Sequence, residues 1–384
     1  MRKITSIILA LIVIMNTHIS MAITQYQGVS GYKELHKGME FVDVSNRGDK
    51  VSLNRLVAFS IVKGMGNDKF YPNRRVSKEE AIAFLVRLQG LEEMAQKEGE
   101  NLIDNTDTSY YRILGPSYYW SLGYIQTAKN NGIITSEEEQ LIENINESNQ
   151  ESLEIQLEKQ MMNYEKNLDI TEEQLKNIEE QLKSKFEKAY TWQGYVSREQ
   201  FFIWMARVLD IEPVNGESQN MVYKYRDWSQ ISTANIPYIE GLIKEGILET
   251  DNKFNPKGSI TRIEIARALD KVLDKVLLDR GYNIYTGEIT DIDDTIITET
   301  NTSNYSNDTV NTLNRTIEVK NDNYIFVNII AKESPIPRND MGFIVEKNGR
   351  TYSPNVLKKG YYIKYYVTEE GKVAFAQLVD EFIF

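Results

Sequence analysis

The chain has 384 residues, a formal net charge of −12, no cysteine and two histidines. The missing cysteine excludes disulfides, thiolate metal sites and cysteine nucleophiles. Histidines at positions 18 and 36 alone exclude a multi-histidine metal centre, and so acidic a chain argues against nucleic acid or an anionic membrane surface as partner.

The N-terminus reads as an export signal. Arg2 and Lys3 precede an apolar run from Ile7 to Met15, and Ser20, Met21 and Ala22 form a small-residue cleavage site. The run is shorter than the roughly 20 apolar residues a membrane span needs. Residues 1–22 are therefore expected to be a signal peptide, and loss of Arg2 and Lys3 takes the net charge from −12 to −14. Only His36 then remains, with no nucleophile-elbow pattern near it.

Residues 23–40 carry little signal and suggest an extended or loosely helical lead-in. From Phe41 a pattern begins: Phe41 and Asp43, an amphipathic stretch, Gly64 placed to stop a helix, and a loop with Phe70 and Pro72. Ser77 and Glu80 then form a capping box, preceded by Val76 and followed by a helical face of Ile82, Leu85 and Val86. The same order recurs downstream. Tyr225, Asp227 and Trp228 lead to a helix with Pro237 in its first turn and Gly246 at its end; Phe254 and Pro256 occupy the loop. Thr261 and Glu264 make the box there, with Ile260 and Ile265 as a hydrophobic staple.

A copy between these two is split. Trp120 to Gly132 matches the first helix and its stop, and Ser197 with Gln200 matches the box, stapled by Val196 and Phe201. Gly64 to Ser77 is 13 residues, Gly246 to Thr261 is 15, but Gly132 to Ser197 is 65. About 50 residues are thus inserted. In the insert, about 135–190, Leu157, Met161, Tyr164 and Leu168, and then Leu175, Ile178, Leu182 and Phe186, have coiled-coil spacing. Between the two runs Thr171 and Gln174 form another box, so an antiparallel helical hairpin is expected. It holds 15 acidic and 6 lysine residues, a net −9.

After Gly281 the period changes from 3.6 to 2. Strands are expected at Glu288–Ile292, Ile317–Lys320, Tyr324–Ile330, Phe343–Glu346, Tyr361–Val367 and Lys372–Val379, with a Thr-, Asn- and Asp-rich loop or ragged strands over 291–314. Asn348 and Gly349 suit a type I′ hairpin turn. Five or six short strands indicate a small antiparallel barrel or sandwich, with an OB-like barrel the first choice.

Three units of the form Phe/Tyr-x-Asp, helix, Gly-Ile, loop with Phe-x-Pro, then Thr-Arg-x-Glu resemble S-layer homology (SLH) domains. The third matches best: Tyr225 and Asp227, Gly246 and Ile247, Phe254 and Pro256, Thr261, Arg262 and Glu264. The resemblance implies a multidomain protein: an all-α pseudo-threefold SLH bundle with units at 23–95, 96–212 and 213–280, an inserted coiled-coil hairpin, and a β-domain at 281–384. It also implies non-covalent attachment to a secondary cell-wall polymer, often pyruvylated, of a Gram-positive-type envelope.

By similarity, Arg262, Arg198 and Lys78 would face grooves and meet the anionic sugar, with Trp228, Trp120, Asp227, Asp43, Gly246, Gly132 and Gly64 completing the pockets. An arginine at the first helical position points outward beside free amides and the positive end of the helix dipole, which favours an anion. A guanidinium can also grip a carboxylate with two bonds. Thr261, Glu264, Ser77, Glu80, Ser197 and Gln200 are expected as caps. The departures are Lys78 in place of arginine, Gln200 in place of glutamate, and an unclear opening to the middle unit, for which Asp104 or Asp107 with Tyr110 or Tyr111 are candidates. No enzyme, cofactor or metal is expected. The alternatives are a carbohydrate-active C-terminal domain built on Asp291, Asp293, Asp294 and Glu299, and a structural role in self-association or partner capture through the acidic hairpin.

Overall fold

A computed structural model describes residues 23–37, 39–105, 120–140, 192, 194–250, 253–303, 306–334 and 340–379. The expected signal peptide, most of the helical insert, and Asp107, Tyr110 and Tyr111 lie outside the described residues. The chain divides into two units. The described residues of one fall within Met1–Lys33, Ile284–Val345 and Ser353–Phe384; the other is Glu34–Asn283 with Glu346–Tyr352.

The second unit is helical. Its helices are α1 (Tyr32–Lys37), which begins just before the unit, α2 (Arg47–Ala58), α3 (Lys78–Leu88), α4 (Glu92–Asn105), α5 (Leu122–Asn130), α6 (Arg198–Val208), α7 (Ile236–Lys244) and α8 (Arg262–Asp279). The Asn46 side chain caps α2 by accepting from the Asp49 amide at 3.1 Å. The Ser77 box is complete: Ser77 Oγ accepts from the Glu80 amide at 3.3 Å, and Glu80 accepts from the Ser77 amide at 3.1 Å. Ser197 Oγ accepts from the Gln200 amide at 3.2 Å. At α8, Glu264 accepts from both the amide and the hydroxyl of Thr261, at 2.8 and 2.7 Å, so the carboxylate does most of the capping there. The staple residues Val76, Val196, Phe201, Ile260 and Ile265 are fully buried, as their spacing requires. One further box was not anticipated: Thr135 and Glu138 exchange bonds of 3.0 and 3.2 Å where the insert begins.

Gly132 and Gly246 end their helices in the left-handed conformation, at φ 71° and 72°. Gly64 does not. The first helix stops earlier, at Ser60, whose φ is 59°, and Ile61 donates back to Leu56 at 2.9 Å. Gly64 is small for a different reason: a Cβ there would lie 2.8 Å from the Phe41 ring.

The other unit carries the sheet. Its strands are β1 (Thr24–Ser30), β2 (Asn283–Ser303), β3 (Ser306–Asn321), β4 (Phe326–Glu333), β5 (Met341–Gly342), β6 (Ile344–Lys347), β8 (Tyr362–Val367) and β9 (Lys372–Val379); β7 (Arg350–Tyr352) completes the sheet order β1-β5-β4-β3-β2-β8-β9-β6-β7. In place of five or six short antiparallel strands, the described residues form nine in one mixed sheet. The parallel pairings come from β1, the supposed lead-in, which runs parallel to β4 and to β9. Of the two readings of 291–314, loop or ragged strands, the second holds: the stretch is part of the long β2–β3 hairpin, paired from Gly287 with Asn321 to Ser303 with Ser306. Thr and Asn side chains on an exposed ribbon satisfy strand geometry without an apolar stripe, which hides such a hairpin from a periodicity argument. Asn348 and Gly349 form the turn with φ of 58° and 80°, as Asn-Gly dictates. Ile289, Ile317, Ile329, Phe343, Ile363 and Phe375 are fully buried on the inner face.

Candidate functional site

The site is built around the three segments that precede α3, α6 and α8. Val76 donates to the Ile260 carbonyl at 3.1 Å, Val196 to Val76 at 3.0 Å, and Ile260 to Val196 at 3.4 Å. Bridges link Arg75 with Thr261, Ser77 with Tyr195, and Ser197 with Ser259. The three segments therefore close a circuit, each bonded to both others, with Val76, Val196 and Ile260 buried at its centre.

The same circuit consumes the helix N-termini. Lys78 donates its amide to Gly194 at 2.9 Å, Arg198 to Gly258 at 2.8 Å and Arg262 to Arg74 at 3.0 Å. The next amides follow suit, Glu199 to Pro256 and Ile263 to Pro72, each at 3.0 Å. The expectation of free amides poised for an anion is therefore corrected. These donors, orphans in an isolated helix, are satisfied by carbonyls of the neighbouring loop.

The cations at the first helical position differ in all three copies. Arg262 does not point outward: it is only 3% exposed. Its Nε donates to the Phe70 carbonyl at 2.9 Å and its Nη2 to the Lys63 carbonyl at 3.0 Å. The guanidinium lies 4.7 Å from the Phe70 ring centre and 5.3 Å from that of Phe84. Burial pulls its pKa down to about 10. Arg198 pairs with Glu264 at 2.6 Å and keeps a partly open side chain. Lys78 is half-buried, and burial lowers its pKa.

The aspartates fix loops. Asp43 accepts from the amides of Phe70 and Tyr71 at 2.9 and 2.7 Å, and Asp227 from those of Phe254 and Asn255 at 2.9 and 2.8 Å. Tyr71 and Asn255 sit at φ 56° and 53°, so each aspartate holds a strained left-handed residue in place. The flanking rings repeat as well: Phe41 with Phe70, and Tyr225 with Phe254, both at 5.4 Å.

Trp120 and Trp228 remain open to solvent, 41% and 40% exposed. Trp228 meets Tyr223 edge-on at 4.9 Å, a pairing that sequence reasoning missed. Reasoning from caps also missed Glu79 and Glu199, one position after the cations. Glu199 is buried and accepts from the Ser232 amide at 2.9 Å, Asn235 at 2.7 Å and Lys257 at 2.7 Å. Glu79 accepts from Ser121 at 2.7 Å, and burial raises its pKa. The signal was legible as Lys78-Glu79 and Arg198-Glu199, which the third copy breaks with Ile263.

The carboxylates named for a catalytic alternative lie along one strand, β2. Asp294 is gripped by Arg315 through two bonds, 2.7 and 2.6 Å, and Asp291 is 3.7 Å from Lys359. Among the described residues no cluster of histidine, cysteine and carboxylates could hold a metal.

A family model described as the S-layer homology domain matches residues 40–82 and 224–266. Those two segments are SLH domains. The match covers the Asp43 and Asp227 loops and the Ser77 and Thr261 boxes, but not the middle copy, the insert or the sheet. No curated protein matches the chain significantly. SLH domains bind secondary cell-wall polymers and indicate cell-wall anchoring of a surface protein. Among the described residues no helix is long and apolar enough to cross a membrane.

Proposed function

We propose that the chain is an exported, non-enzymatic protein of a Gram-positive-type cell surface. Three SLH units in a pseudo-threefold bundle hold an acidic, pyruvylated secondary cell-wall polymer without covalent attachment. The observation that carries this reading is the circuit of backbone bonds among the three caps. It gives the Ser197 segment the same place as the two matched SLH boxes, which supports a third unit interrupted by the helical hairpin. The pairing of β1 with both β4 and β9 supports a closed, barrel-like sheet in the other unit.

Within this reading the polymer meets side chains, since the helix amides are taken. Arg198 is the cation best presented for a sugar carboxylate, which would compete with Glu264 for it. Trp228 with Tyr223, and Trp120, offer flat apolar faces on which a sugar ring can stack. Arg262 supports the groove by holding the Lys63–Phe70 loop. Purified 23–384 should co-sediment with cell-wall sacculi and lose that property once the acidic polymer is extracted. Sedimentation that survives extraction, or none at all, would overturn the proposal.

A further inference from the structure

The two longest strands of the sheet reach past their neighbours. β2 has 21 residues and β3 has 16. On the β3 side, pairing with β4 ends where Leu313 meets Glu333. On the β2 side, Ile289 donates to the Tyr361 carbonyl and accepts from the Gly360 amide, both at 2.8 Å. That exchange is antiparallel, so the six-residue β8, which follows Tyr361, runs back along β2 towards Asn283. Beyond a bulge between Ile289 and Asp291, no strand among the described residues covers the outer edge of β2. From Ile297 opposite Thr312 outward the hairpin is a ribbon of two strands, which is marginal in water without a third.

Two large apolar side chains stand on this edge. Ile296 and Ile297 are adjacent, so they lie on opposite faces of the ribbon, and they are 71% and 38% exposed. Exposed edges are ordinarily blunted by lysine, proline or bulges. From Asp291 to Ser303 the sequence has no lysine, arginine, proline or glycine, and its pairing with β3 runs without a bulge. Threonine and isoleucine, both strand formers, supply more than half of it.

The only charges in that stretch are four acids, Asp291, Asp293, Asp294 and Glu299, and they restrict what can lie alongside. When a strand pairs antiparallel with a second copy of itself about a twofold axis, one residue faces its own copy. Centred on Ile297, the register sets Asp291 opposite Ser303, Asp293 opposite Asn301, Asp294 opposite Thr300 and Thr295 opposite Glu299. No acid then faces an acid. Centred on Ile296, Asp293 would face Glu299; centred on Thr295 or Glu299, acid would again face acid, and directly opposed like charges destabilise a sheet. Thr298 as centre avoids the clash but pairs a shorter stretch, 293–303. The Ile297 register also sets two β-branched side chains face to face. Asp294 is gripped by Arg315 at 2.7 and 2.6 Å and Asp291 lies 3.7 Å from Lys359, so two of the four acids carry a counter-charge within their own chain.

We propose that the outer edge of β2 binds a second copy of this chain, edge to edge, in an antiparallel twofold register centred on Ile297. Main-chain bonds across the two edges supply the affinity, as in other cases of strand addition. The two hairpins become one four-stranded ribbon, and the twofold register closes on itself, so the product is a dimer and not a fibre. These residues lie outside both matched SLH segments, so the pairing does not depend on wall anchoring.

Because the chain has no cysteine, single cysteines placed along the edge report the register without background. Sedimentation velocity of 23–384 should show a dimer with Kd below about 100 μM. Under mild oxidation Ile297→Cys should cross-link to its own copy, since a disulfide needs Cα atoms within about 7 Å. Neither Ile292→Cys nor Thr302→Cys should cross-link alone, but the two mixed should, because 292 faces 302 in this register. Ile297→Lys sets two lysines face to face and should weaken the dimer at least tenfold, with the circular dichroism spectrum unchanged. A monomer at about 200 μM would overturn the proposal. So would assemblies larger than a dimer, cross-linking that favours another single cysteine over Ile297→Cys, or a dimer that a folded Ile297→Lys variant forms equally well.

Discussion

Replacing Arg262 with alanine should unfold the helical unit more readily, although the residue sits where a family resemblance places a ligand contact. The side chain is 3% exposed and is the donor to two carbonyls, those of Phe70 and Lys63. Removing it leaves the buried Phe70 carbonyl unpaired, at about 1–3 kcal/mol, whereas the carbonyl of the exposed Lys63 can turn to water at a smaller cost. Lost contact between the arginine stem and the Phe70 and Phe84 rings adds about 1–2 kcal/mol. Against this stands the burial of a guanidinium, which the lowered pKa of about 10 registers and which alanine relieves. The net expectation is a loss of about 3 kcal/mol. All four tryptophans, at 120, 192, 204 and 228, belong to the helical unit, so their fluorescence in urea reports that unit alone. The midpoint should fall by about 1–1.5 M. Arg262→Met, which keeps the stem, should lose about half as much. A midpoint within 0.3 M of the parent (about 0.3 M being the resolution such a slope allows) would refute the clamp.

Three further outcomes follow from the same geometry. Asp227→Ala strips the acceptor from the Phe254 and Asn255 amides and should cost about 2–3 kcal/mol in the same urea assay. Burial opposes ionisation of Glu199, but bonds from Lys257, Asn235 and Ser232 outweigh it and hold its pKa below the ordinary glutamate value. Its contribution is therefore present above about pH 4.5 and lost as the pH falls through the lower folded value, and Glu199→Gln should flatten the acid limb of a stability–pH curve. Gly28→Ala would put a Cβ 2.7 Å from the Gly342 backbone and should cost the sheet about 3 kcal/mol, read by far-ultraviolet circular dichroism while tryptophan fluorescence stays unchanged.

Local chemistry was the legible part of this chain. The Ser77, Ser197 and Thr261 caps, the Gly132 and Gly246 stops and the Asn348–Gly349 turn are each decided within a few residues, and each stands where the spacing put it. Gly64 misled because a glycine near a helix end can serve close packing against Phe41 as well as a left-handed turn. The partners of Arg262 were hidden because they lie 192 and 199 residues away. Nothing in the Thr-Arg-Ile-Glu sequence says whether the neighbouring loop will cover it. β1 escaped for the same reason: residues 24–30 acquire strand identity from distant partners, Val327–Ile330, Met341–Gly342 and the Lys372 edge.

On the proposed three-unit reading, the cap circuit also decides how far three polymer grooves would be alike. Each helix gives its first amide to the next loop, so the backbone is repeated, yet the side chains on that repeated frame are a half-buried lysine, an ion-paired arginine and a buried arginine. Lysine cannot make the two-bonded carboxylate grip, and Arg262 is buried with its Nε and Nη2 committed to the Lys63–Phe70 loop. The Arg198 groove should therefore dominate binding of an acidic polymer fragment. Arg198→Gln should weaken the fragment at least tenfold (about 1.4 kcal/mol) with little change in urea midpoint, whereas Arg262→Met should lower the midpoint and leave most affinity in the folded fraction. Calorimetry on both variants at a temperature where each is folded separates the two. If Arg262→Met abolished binding while Arg198→Gln did nothing, the buried arginine would have to open to the ligand, and the division between clamp and contact drawn from this geometry would be wrong.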